Sequence, residues 1–138
     1  MDYETARNYL LSRPEAWEDF PFGPDVAVFK VKDRMFATLG LRTEPGVTAK
    51  TTNMNLKCDP EEALMLRDIF SAVKPGYHMN KRHWNTIIFD GSLPIGEIQR
   101  MVDRSYALVV KGMTKKKRAS LELHYSAEQL YAQYEPTH

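Results

Sequence analysis

The sequence contains one cysteine, Cys58, so no disulfide can close within the chain, and the reducing cytoplasm is the expected location. No apolar run approaches the roughly 20 residues that a membrane span needs. The opening Met1-Asp2-Tyr3-Glu4 lacks the basic-then-apolar order of a secretory signal, which points the same way. A large charge of one sign is also missing. Lys and Arg total 19 against 18 Asp and Glu, so any attraction to a polyanion must come from local clusters. There is no Cys-x-x-Cys, no His-Glu-x-x-His and no Gly-x-Gly-x-x-Gly. These absences remove the common zinc-site spacings and the dinucleotide-binding turn.

At 138 residues with 43% hydrophobic content, the chain has the size and composition of one ordinary globular domain. Residues 2–12 read as a helix, with Tyr3, Ala6, Tyr9 and Leu10 at helical spacing and Pro14 beyond its end. Residues 13–25 hold three prolines and a glycine around Trp17, Phe20 and Phe22, and read as an irregular loop pinned by aromatics. Strands follow over 26–32 and 35–41, joined at Asp33-Arg34, and Glu44-Pro45-Gly46 makes the next turn. A third strand over 47–58 places Met54, Leu56 and Cys58 on one face and Asn53, Asn55 and Lys57 on the other. That alternation predicts an antiparallel sheet with one buried and one wet face.

Asp59-Pro60-Glu61-Glu62 predicts a capped helix start, and the helix that follows is read as turning Leu64, Met65, Ile69 and Phe70 inward. It is expected to end before Lys74-Pro75-Gly76. Trp84 to Phe89 forms another strand. Pro94 opens the longest helix, with a stripe of Ile95, Ile98, Met101, Val102, Tyr106, Val109 and Val110, which Gly112 ends. Beyond Arg118, Ser126 and Gln129 can cap a short helix carrying Leu130, Tyr131 and Tyr134. The order is α-β-β-β-α-β-α plus a C-terminal tail, without the regular βαβ alternation of a parallel sheet.

Three separated stretches carry a family resemblance. They are Glu18-Asp19-Phe20-Pro21-Phe22-Gly23-Pro24 with Val28-Phe29-Lys30-Val31, the run from Pro75 to Ile87, and Asp103-Arg104-Ser105-Tyr106-Ala107-Leu108-Val109-Val110-Lys111-Gly112. Together they resemble the MmcQ/YjbR family over about residues 1–118, leaving 119–138 as a C-terminal extension. The resemblance implies an α+β, CyaY-like (frataxin-like) fold, an antiparallel sheet with helices packed on one face. It also implies a DNA-binding role through a double wing of β-hairpins, with double-stranded DNA as the partner. No enzyme activity and no cofactor are expected, because no catalytic or cofactor-binding signature assembles in the residues.

The residues themselves offer three surfaces for such a role. The first is Tyr77 to Trp84, where Asn80, Lys81, Arg82 and His83 stand between two aromatics just before a strand. Cations there can meet phosphates, Asn80 and His83 can hydrogen-bond, and Tyr77 and Trp84 can stack or simply anchor the turn. The second is the wet sheet face, with Asn53 and Lys57 on it and Arg34 and Lys50 near the hairpin tips. The third is Lys111 to Arg118, five cations without an acid, which also suits a helix C-terminus. The alternative is a domain that binds a protein or a small ligand through the same face without nucleic acid. A pocket beside Trp17, Tyr77 and Trp84 would favour that alternative, and a continuous positive surface across the wings would favour DNA.

Other chemistry finds no support. Tyr77 and Lys81 have the Tyr-x-x-x-Lys spacing of short-chain dehydrogenases, but the pair spans a loop entering a strand rather than one helix. His78 and His83 are five apart, His124 and His138 lie in the tail, and the first helix offers only Asp2 and Glu4 for an iron-binding ridge. No metal site is expected. Cys58 belongs to the apolar face of its strand, where a thiol behaves as a small hydrophobe.

Overall fold

A computed structural model describes residues 1–43, 46 and 48–134. The chain opens with helix α1 (Tyr3–Leu11), whose first turn is capped by the Asp2 carboxylate accepting from the Thr5 N–H at 2.8 Å. Strands β1 (Ala16–Asp19), β2 (Val26–Val31), β3 (Arg34–Thr43) and β4 (Lys50–Lys57) follow, then helix α2 (Pro60–Ile69). Strands β5 (Val73–Pro75) and β6 (Trp84–Ile88) precede helices α3 (Ile95–Lys111), α4 (Lys115–Glu122) and α5 (Ala127–Tyr131). The six strands form one sheet in the order β1-β2-β3-β4-β6-β5, with every neighbouring pair antiparallel.

Helices α1, α2 and α3 pack on one face of this sheet, with α5 against α3 and α4 against α5, as expected for the α+β class. The core joins Ala6 and Leu10 of α1, Leu66 of α2 and Ile98, Val102, Tyr106 and Val110 of α3 to Phe29, Leu39, Met54 and Ile87 of the strands. Met54, Leu56 and Cys58 lie on this face, in accord with the alternation. A bulge sharpens the pattern on β3. Phe29 pairs with Ala37 but Lys30 pairs with Met35, so Phe36 is an extra residue, and both Phe36 and Ala37 are fully buried.

The structure corrects several local readings. Residues 13–25 are not wholly irregular, because Ala16–Asp19 pairs with Val28–Val31 as an edge strand. Lys74-Pro75 likewise belongs to edge strand β5, a position where proline's missing N–H is tolerated. The β2–β3 turn is Lys32-Asp33 rather than Asp33-Arg34, since Val31 pairs with Arg34 and Lys32 takes the positive φ of 54°. Gly46 has φ +80°, whereas Glu44 and Pro45 of the expected turn lie outside the described residues.

On α2 the buried stripe is Ala63 and Leu66 with partly buried Phe70. Leu64, Met65 and Ile69 instead face solvent, at 64%, 54% and 61% exposure. Both stripes have helical spacing, and the close seat of Ala63 against Asn85 decides between them. Asp59 is the N-cap in position only. Its carboxylate bonds Arg104 instead of the helix N–H groups, and Glu62 bonds Arg100 and Arg104.

The C-terminal helices share the main core. Leu121 and Leu130 are fully buried within it, and Ser126 and Gln129 form the reciprocal capping box that the sequence suggests. The boundary expected at Arg118 falls inside α4. The basic run is divided as well. Lys111 ends α3, with its ammonium 4.1 Å from the Tyr131 ring centre, whereas Lys115, Lys116 and Lys117 occupy the first turn of α4. Lys111 and Arg118, which donates to the Lys111 carbonyl at 3.3 Å, therefore complement the C-terminus of α3, whereas the other three oppose the dipole at an N-terminus. Lys117 is tied to Asp33 at 2.8 Å.

Candidate functional site

The sheet face away from the helices carries Thr38, Gly40 and Arg42 of β3, Asn53, Asn55 and Lys57 of β4, and Trp84 and Thr86 of β6. Pairing of Thr38 with Asn55, and of Asn55 with Thr86, sets this alignment. The face is not the uniformly wet surface that alternation suggests. Thr38 and Asn53 are each 8% exposed and Thr86 is 2% exposed, because the sheet forms the floor of a recess of about 800 Å3. Phe22 and Val26 make one wall. Tyr77, His78 and Met79 make the other, and Leu41, Arg42 and Thr43 close one end. The volume lies in the range of small-molecule sites, about 300–1,000 Å3.

The 76–83 loop that forms the second wall is fixed from both sides. On the outer side, Thr86 Oγ1 accepts from the Tyr77 N–H at 2.8 Å and donates to Asn55 Oδ1, while Asn55 Nδ2 reaches the Tyr77 carbonyl at 3.4 Å. On the helix side, Arg67 of α2 donates to Asn85 Oδ1 at 2.7 Å, to the Trp84 carbonyl at 3.4 Å and to the Lys81 carbonyl. Asn80 Oδ1 accepts from the Arg82 N–H at 3.0 Å, and the Lys81 ammonium donates to the Gly76 carbonyl at 3.0 Å.

Gly76 sits where a Cβ would lie 2.8 Å from the Trp84 carbonyl oxygen and 2.9 Å from its Cβ. Gly76→Ala is therefore expected to lower stability by about 1–3 kcal/mol, the usual cost of overpacking. Tryptophan fluorescence during urea unfolding measures it, and an unchanged midpoint would show that the loop yields freely.

The structure divides the sequence-predicted residues into two groups. Asn53 and Lys57 belong to the outer face, Tyr77 lines the recess, and Asn80, Lys81, Arg82, His83 and Trp84 belong to the same loop and its strand. Arg34 and Lys50 do not join them. They lie at opposite ends of the β3–β4 ladder, about 30 Å apart at the strand rise per residue, and on the helix-side parity. The recess adjoins Tyr77 but neither Trp17 nor Trp84. Trp17 instead stands on the β1 edge, its indole donating to the Lys32 carbonyl at 2.8 Å.

Two residues that the sequence reading passed over shape the site. Arg42 places its guanidinium carbon 3.7 Å above the Tyr77 ring centre at the recess rim. Lys74 of β5 pairs with Thr86 and so shares the outer parity. The charged strand residues of that parity are Lys30, Arg42, Lys57 and Lys74 against Asp19 alone. Asp19 is engaged by Lys30 at 2.9 Å, a hydrogen bond that holds its carboxyl below the usual range.

Conventional catalytic groups are sparse. Burial pushes the Cys58 thiol up to about 12, with Glu62 and Asp59 adding to the effect, so it is no ready nucleophile. Among the described residues, no group of three or more His, Cys, Asp or Glu is placed to hold a metal ion. Among the described residues, no helix is long and apolar enough to cross a membrane.

Helices on one face of an antiparallel sheet, and a recess with a polar floor and largely apolar walls on the other, define an α+β domain with one uncovered sheet face. The chain belongs to the YjbR family, whose model matches residues 11–108. It is 35% identical to the uncharacterized protein YjbR of Escherichia coli K12 over 82% of this chain and 91% of that one. It is 34% identical to the uncharacterized protein YbdF of Escherichia coli O157:H7, over 83% and 88% of the two chains. Among solved structures it resembles the Deinococcus radiodurans protein DR2400, a DUF419 domain, with a TM-score of 0.75 and 35% identity over 86% of each chain. A Pseudomonas syringae protein gives a TM-score of 0.72 at 29% identity, over 79% of this chain and 99% of that one.

Proposed function

We propose that the chain is a non-enzymatic DNA-binding module that engages DNA with its outer sheet face and the 76–83 loop. The observation that carries this reading is the charge of that face, whose outward strand residues are Lys30, Arg42, Lys57 and Lys74 against Asp19, the acid that pairs Lys30. A small positive field confined to one surface attracts phosphates even where net charge is near zero. Lys57, Lys81 and Arg82 are the phosphate contacts, and Asn53, Asn80 and His83 are the polar groups near bases. Arg34 and Lys50 can touch backbone only where the DNA extends beyond this face.

Fluorescence anisotropy on a labelled duplex across a salt series tests the proposal. The expected result is a dissociation constant tighter than about 100 μM at low salt, weakening steeply as salt rises. Replacing both Lys57 and Arg82 with Ala is expected to reduce the log–log salt slope by about two units, and Arg34→Ala with Lys50→Ala to reduce it less. Weaker binding at low salt, or a flat salt dependence, rejects the reading.

The recess supports a second reading, a binding domain for a small ligand without nucleic acid, since concave sites of this volume characteristically hold compact molecules.

A further inference from the structure

We infer that the outer-face recess receives one unpaired nucleotide, so that the protein prefers DNA carrying a single-stranded segment over blunt duplex. This rests on the nucleic-acid reading above and adds the form of the strand. Three observations converge on it.

The first is shape. The floor groups Thr38, Asn53 and Thr86 lie at the bottom of a recess between Phe22 and the Tyr77–Met79 turn. Elements that read duplex DNA enter a groove as convex helices or ribbons. A recess works the other way and accepts a base that has left its stack.

The second is the platform. The Tyr77 ring lies between the Arg42 guanidinium carbon, 3.7 Å from its centre, and the His78 ring, 4.0 Å from it. The stacking surface at the rim is therefore the outer side of this Arg42–Tyr77–His78 layer, and Tyr77 is 46% exposed. Unpaired bases stack on aromatic rings and guanidinium planes, and the positive charge suits the adjoining phosphate.

The third is an unused acceptor. Asn53 is 92% buried by its 8% exposure, and its Nδ2 donates to the Thr51 carbonyl at 2.9 Å, which fixes the amide orientation. Its Oδ1 then has no hydrogen-bond partner among the described residues. A buried acceptor left alone is disfavoured; with under 1 Å2 of its surface open, it meets the exocyclic amine or ring N–H of a base only after the Asn53 amide turns toward the recess, a movement its NMR resonances report.

The same chemistry is offered by a free nucleotide, and the experiment separates the two sources. Anisotropy compares a blunt duplex with the same duplex bearing a three-nucleotide overhang, at one salt concentration. In parallel, deoxynucleoside monophosphates are titrated while the side-chain amide resonances of Asn53 and Asn55 are followed by NMR. The expected result is overhang binding at least about fivefold tighter than blunt, an advantage that Tyr77→Ala removes without changing the salt slope. Tyr77→Ala leaves the backbone bonds of Tyr77 in place, and its fold is checked by circular dichroism. Equal binding of the two DNA forms, or an overhang advantage that survives Tyr77→Ala, overturns the inference while the salt-dependent DNA reading stands. Amide shifts with monophosphates but no binding to either DNA form would overturn both the strand preference and the DNA reading, and would assign the recess to a free nucleotide.

Discussion

Arg104→Ala is expected to destabilise the fold by about 3–5 kcal/mol, the cost of leaving buried charges without their partner. The Arg104 side chain is 7% exposed within α3. Its guanidinium donates to Glu62 at 3.2 Å, to the Gln133 carbonyl at 3.1 Å and to Asp59, and lies 5.5 Å from the Tyr134 ring centre. One side chain thus fixes the start of α2 and the segment after α5 to the longest helix. Its loss leaves Asp59 and Glu62, at 28% and 18% exposure, as neighbouring carboxylates, with Arg100 the cation remaining beside Glu62. Urea unfolding gives the magnitude. Limited proteolysis is expected to show earlier cleavage near residues 127–134. A loss below about 1 kcal/mol would mean that water replaces the guanidinium readily. The consequence extends to the site, because α2 also carries Arg67, which holds the loop behind Tyr77 through the Lys81 and Trp84 carbonyls.

The elements that were legible in the sequence are those defined by local pattern. The alternation from Asn53 to Cys58, the Pro94-to-Gly112 helix and the Ser126–Gln129 box each rest on local pattern, and each stands in the structure, except that Ile95 of the α3 stripe faces solvent and Asn53 is buried on the outer face. Strands β1 and β5 were not legible, since four and three residues give too little periodicity and their identity comes from pairing with β2 and β6. The same limit applies to α2, where two apolar stripes compete and only tertiary packing chooses.

The recess was out of reach for a related reason. Its walls come from Phe22, from the end of β3 and from Tyr77, brought together by a sheet order that no local motif encodes. One signal was present and passed over. Arg104 and Ser105 interrupt the apolar stripe of α3 at positions three or four residues from Met101 and Val102, which places them on the inward side. Polar residues there predict buried polar work. Ser105 performs it by accepting from the Lys57 N–H at 2.8 Å and donating to the Phe36 carbonyl at 2.6 Å, just beyond the point where Ala37 pairs with Leu56.

Tyr106 is the neighbouring case in which the apolar pattern and a polar tip act together, and it carries the other large expected effect. It is among the largest fully buried side chains, meets Phe36 edge-on with ring centres 5.3 Å apart, and donates its hydroxyl to the Pro14 carbonyl at 2.7 Å. Phe36 is the extra residue of the β3 bulge, two positions before Thr38 on the recess floor. Truncation to alanine removes the ring beneath that bulge and leaves a cavity, with an expected cost of about 3–5 kcal/mol. Tyr106→Phe keeps the ring and deletes only the hydroxyl, so its expected cost is about 1 kcal/mol. Urea unfolding of the two variants separates packing from hydrogen bonding. Equal losses in both would mean that the bond to Pro14, rather than the packing on Phe36, dominates. In that case the bulge would not depend on α3, and the link from the helical layer to the recess floor would fail. If the packing dominates, Tyr106→Ala is also expected to weaken ligand binding at the recess under conditions where the protein remains folded, because the support of β3 beneath Thr38 is lost.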